Sequence, residues 1–107
     1  MEENEMIRAL VLYPNESGKK FDLDYYINKH MVMLHKKLDP LGLIKAEVDK
    51  GLGSAEPNTP PPFVAICYLY FNNTEEMQKC LAAASDLLAD VPNFTDVQPQ
   101  MQFSEVL

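Results

Sequence analysis

The chain has 107 residues, enough for one domain that buries roughly 65% of its unfolded surface. A net charge of −7 with a single arginine, Arg8, argues against nucleic acid and anionic membranes as partners, because phosphate recognition needs clustered Lys and Arg. Hydrophobic residues make up 47%, which excludes wholesale disorder, and no apolar run reaches the ~18 residues of a membrane span. The acidic opening MEENEMIR resembles neither a signal nor a transit peptide, so the expected location is the cytoplasm.

In chain order, residues 1–5 are expected to fray. Met6–Tyr13 is nearly continuous in apolar and β-branched residues and predicts a strand. The turn PNESGKK follows. Phe21–Leu38 then predicts one amphipathic helix: Leu23, Tyr26, Ile27, Met31, Leu34 and Leu38 recur at helical spacing, with His30 among them, all within an arc of about 140°. Asp22 is a suitable N-cap, Lys36 and Lys37 suit the C-terminal end of the dipole, and Pro40 and Gly42 stop the helix. Tyr25 and Val32 fall on the outer face.

Leu43–Lys50 alternates weakly and carries charge, which predicts an edge strand, and the Gly- and Pro-rich stretch 51–62 predicts a loop, either a mobile flap or plain disorder. Phe63–Phe71 is the second strongly apolar strand. Asn73 and Glu76 open a second helix in the manner of a capping box. Its stripe is Met77, Cys80, Leu81, Ala84, Leu87 and Leu88, and Pro92 ends it. The tail Asp96–Val106 alternates, with Val97, Met101 and Phe103 on one face, and Pro99 restricts it to an edge.

The order β-α-β-β-α-β predicts an α+β, ferredoxin-like fold: a four-stranded antiparallel sheet with two helices on one face. Strands one and three are apolar on both faces, and two helices cover only one. The other face would be a large exposed apolar patch, which predicts a homodimer whose sheets pack together.

The strand ending in Tyr13-Pro14, the stretch FDLDYYINKHM with Asp22, Tyr25, Tyr26 and His30 in register, and the closing FTDVQPQMQFSEV resemble the EthD family of dimeric α+β barrel proteins. The resemblance spans most of the chain. It implies a dimeric α+β barrel with a pocket between helices and sheet, in which a helix histidine or an acidic residue often transfers a proton. It also implies kinship with isomerases, cyclases and small monooxygenases, and some members carry a reductase label. Many members have Pro after the His-Met pair; Val32 stands there in this chain, which bears on pocket shape.

His30 is the candidate general acid or base for a proton shift α to a carbonyl; the alternative is a core histidine bonded to a backbone carbonyl. Tyr26, one turn earlier, and Tyr13, closing the first strand, are candidate substrate-binding residues, or else core aromatics. Cys67 is a third candidate for the pocket, with structural packing as its alternative. Cys67 and Cys80 read as reduced thiols, not a disulfide, and His35 as a surface residue. His30 and His35 are spaced wrongly for a shared metal, and no glycine-rich phosphate loop is present, so no metal and no cofactor is expected. The function expected is the binding of a small hydrophobic or aromatic metabolite, with cofactor-free proton transfer by His30. The alternatives are a non-catalytic accessory protein for a partner oxygenase and an oxidoreductase, as the family label suggests.

Overall fold

A computed structural model describes residues 6–107; the expected fraying of residues 1–5 lies outside it. Four strands, β1 (Met6–Pro14), β2 (Lys45–Lys50), β3 (Phe63–Phe71) and β4 (Gln100–Val106), form one antiparallel sheet in the order β2-β3-β1-β4. The two most apolar strands are therefore central, and the strands carrying charge or following Pro99 are the edges. Ile7, Ala9 and Tyr13 of β1 and Ala65, Cys67, Leu69 and Phe71 of β3 alternate onto one face and form the core with the helices.

The first helix is one run of chain but not one geometry. Asp22 caps it by accepting from the Tyr25 N–H at 3.1 Å. α1 (Leu23–Tyr25) passes into a π-helical turn over Tyr26–His30, and α2 (Met31–Leu38) continues it. The wider turn shifts the phase of the apolar stripe. Tyr26, His30, Met31, Leu34 and Leu38 stay inside, whereas Ile27, expected in the stripe, is 42% exposed. Tyr25, expected outside, is half-buried.

The second helix is also divided, into α3 (Thr74–Ala82) and α4 (Ser85–Asp90), followed by a 3-10 turn over Val91–Asn93. Asn73 caps α3 through the Glu76 N–H at 2.9 Å. The break rotates Leu88 outward, to 59% exposure, and turns Asp90 inward. β4 starts later than the tail's alternation suggests. Val97 is buried ahead of the strand, and Met101 and Phe103 lie 44% and 49% exposed.

The segment Phe94–Val97 straps the second helical layer to the first. Asp22 N–H donates to the Phe94 carbonyl at 2.7 Å, Thr95 Oγ1 donates to the Lys20 carbonyl at 2.6 Å, and Val97 N–H donates to Thr95 Oγ1 at 3.0 Å. The 51–62 loop is anchored where it returns to the sheet: Asn15 donates to the carbonyls of Pro62 (N–H, 3.0 Å) and Pro61 (side chain, 2.9 Å). No residue of this loop lines the cavity described below. Among the described residues no helix is long and apolar enough to cross a membrane.

Candidate functional site

His30 is buried, 4% exposed, on the inner face of the π-helical turn. Its partner is a side chain, not a backbone carbonyl: Nδ1 lies 2.9 Å from Asp90 Oδ2. The other carboxylate oxygen, Oδ1, accepts from the Tyr25 hydroxyl at 2.8 Å and from Asn93 Nδ2 at 2.9 Å. Burial alone would raise the Asp90 carboxyl. The hydrogen bonds from Asn93, His30 and Tyr25 outweigh it and hold the group below the ordinary carboxylate range. An ionised carboxylate only accepts, so His30 carries its proton on Nδ1. Nε2 has no hydrogen-bond partner among the described residues.

Three local devices build this pair. The π-helical turn stacks the His30 ring on Tyr26, centroids 5.4 Å apart at 16°. Phe94, wholly buried, closes on the His30 ring at 4.7 Å from the strap. The break before α4 and the 3-10 turn after it bring Asp90 and Asn93 to the same point. The ring is thus held by one charge-assisted hydrogen bond, one stacked aromatic face and one tilted aromatic ring, which leaves it little rotational freedom.

Between helices and sheet lies a cavity of about 70 Å³. His30, Tyr26, Tyr13 and Cys67, the residues singled out from the sequence, all line it, together with Cys80 and aliphatic side chains. Leu88, Pro99 and Met101 line its outer end. Among the described residues no Lys, Arg, Asp or Glu belongs to the wall. Burial pushes the Tyr13 and Tyr26 hydroxyls far above the usual tyrosine range and the Cys67 thiol to about 11. All three are therefore neutral near pH 7, and Cys67 is a poor nucleophile there. Both cysteines are free. His35 sits apart on the surface side, 3.0 Å from Asp39. Among the described residues no three His, Cys, Asp or Glu side chains cluster as metal ligands do.

Asp90, Asn93 and Tyr25 are the members that sequence reasoning missed. Tyr25 stood in the right motif but on the face assigned to solvent. Asp90 lies roughly 120° from the centre of the second helix's apolar stripe if that helix is continued without a break.

Residues 18–98 match the EthD domain. The structure of an EthD-like protein from Ralstonia eutropha JMP134 is 33% identical, with a TM-score of 0.90 over 98% of this chain and 95% of that one. An EthD family protein from Bacillus halodurans C-125 is 21% identical, with a TM-score of 0.72 over 95% and 99%. A dimeric ferredoxin-like protein from an uncultured marine organism shares the fold at 16% identity, with a TM-score of 0.56 over 98% and 90%. No curated protein sequence matches.

Proposed function

We infer, on the premise that this chain belongs to the EthD family, that it serves a small-molecule pathway by moving a proton on an uncharged, apolar carbonyl compound, with His30 as the base. The observation that carries this reading is the His30–Asp90 pair on the wall of an apolar cavity. Asp90 fixes the tautomer that leaves the Nε2 lone pair for the cavity and steadies the imidazolium that forms. In the step itself, Nε2 takes a proton from the carbon next to the carbonyl, and the C–H electron pair becomes an enolate. The Tyr26 and Tyr13 hydroxyls, kept protonated by burial, are the donors available to the enolate oxygen. Return of the proton from Nε2 to another carbon completes an isomerisation, with His30 restored. Each step uses only groups of this chain.

The wall supports the substrate class. With no cation in it, a carboxylate substrate would be buried unpaired, at a cost of several kcal/mol. A cavity of about 70 Å³ is smaller than the ~150 Å³ that accepts benzene in an apolar core, so a ring-sized ligand enters as Leu88 and Met101 move aside. The test is proton exchange. Small ketones, lactones and phenols are incubated with the protein in D2O, and deuterium uptake at carbon is followed by NMR. His30→Gln removes the uptake if His30 is the base. Uptake unchanged in that variant overturns the reading, and binding with no uptake of any compound supports a carrier role instead.

The same reading includes a homodimer. Leu10, Leu12, Val64, Ile66, Tyr68 and Tyr70 point to the sheet face that the helices leave bare, and none is fully buried in the single chain. A second copy packed on this face covers them.

A further inference from the structure

Among the described residues the bare sheet face is neutral but polarised along its strands. In register, Arg8 pairs with Tyr70 and Tyr70 with Lys45; two residues on, Leu10 pairs with Tyr68 and Tyr68 with Glu47; two further, Leu12 pairs with Ile66 and Ile66 with Asp49. Two cations, Arg8 and Lys45, therefore stand at one end, and two carboxylates, Glu47 and Asp49, stand towards the other. Their sum is zero on a chain of net charge −7. Two such chains repel as wholes, and a neutral apolar face is where they can approach.

Arg8, the chain's one arginine, forms no ion pair with any described residue. Its guanidinium lies 5.7 Å from the ring centres of both Tyr68 and Tyr70. Among the described residues its one side-chain hydrogen bond is long, 3.5 Å to the Tyr70 hydroxyl, and Nε is shut from solvent with no acceptor. A guanidinium with five N–H donors and one weak acceptor carries an unmet demand for a carboxylate. Glu47 already accepts from the Tyr70 hydroxyl at 3.0 Å and lies 3.6 Å from Lys45. Asp49 is exposed and forms no ion pair with any described residue. Four residues along the strand and two strands across place Asp49 about 16 Å from Arg8 by sheet spacing, too far to pair within one protomer.

We propose that Arg8 pairs with Asp49 of the partner subunit, so that this ion pair, made twice, sets the orientation of the two sheets. The midpoint between Arg8 and Asp49 on the register is Tyr68, one strand and two residues from each. The two-fold axis then passes over Tyr68, and the cationic end of each sheet faces the acidic end of the other. This rests on the dimer proposed above.

Sedimentation equilibrium of Arg8→Asp, Asp49→Arg and their equimolar mixture tests it. Each variant alone places like charges at both contacts and weakens its dimer roughly 30-fold, at about 1 kcal/mol per contact. The mixture restores near wild-type association, because the heterodimer sets opposite charges against each other at both contacts. Dimers of either variant within threefold of wild type, or a mixture without preference for the heterodimer, overturn the pairing while the dimer stands. A wild-type chain that stays monomeric at micromolar concentration overturns the dimer and the pairing with it. Where Arg8→Asp does not fold, Asp49→Arg compared with Asp49→Asn decides: reversal weakens the dimer more than neutralisation, and equal effects refute the pair.

Discussion

Asp90→Asn is the substitution that the site geometry constrains most tightly. The carboxylate accepts from three donors at 2.8–2.9 Å, spread over both oxygens. An amide of the same shape has one acceptor and one donor. Whichever way it turns, its NH2 meets a donor. If it faces His30, the ring must shift its proton to Nε2 to accept, which removes the lone pair the proposed base needs. If it faces Tyr25 and Asn93, two donors lose their acceptor. Hydrogen bonds to a charged group are worth about 1.5–3 kcal/mol each, so losing one or two costs about 2–4 kcal/mol. For a domain this size that lowers the thermal midpoint by roughly 10–25 °C.

Because the native Asp90 carboxyl is held below its unfolded value of 3.8, its contribution is present above that pH and is lost as pH falls through the native value. The stability gap between wild type and Asp90→Asn therefore closes below about pH 4. Urea titrations at several pH values measure the gap, and long-range 15N spectra of the imidazole read which nitrogen bears the proton. A variant within about 0.5 kcal/mol of wild type at pH 7, or a gap that stays constant into acid, refutes the account of Asp90 as the ionised acceptor.

Phe94→Ala opens a void beside His30 and costs about 3–5 kcal/mol in urea, and the His30 ring resonances move with it. Ile27→Gln changes stability by less than about 0.5 kcal/mol, whereas Met31→Gln costs several times more, because the π-helical turn leaves the first exposed and the second buried. Cys67 stays unreactive toward a thiol reagent at pH 8 in the native protein and reacts on unfolding. With its native value raised from 9.0 to about 11, its contribution to stability is full below pH 9 and is lost as pH rises through 11.

What the sequence determined by itself is local. Nearly continuous apolar runs in Met6–Tyr13 and Phe63–Phe71, near-helical spacing from Leu23 to Leu38, and caps at Asp22 and Asn73 specify the elements and their order. The apolar excess of strands one and three places them centrally, and His30 inside follows from its neighbours three and four residues away. What the tertiary structure decided is everything that depends on a change of helical phase. The π-helical turn expels Ile27 and draws in Tyr25, and the break before Ser85 exposes Leu88 and buries Asp90. Asp90 reads from its own surroundings as a solvated carboxylate. It is buried because His30, 60 positions earlier in the chain, presents a donor there, with Tyr25 and Asn93 beside it. Periodicity reports one element's preference for an inside. Which polar groups are satisfied inside depends on which elements meet, and only the folded chain sets that.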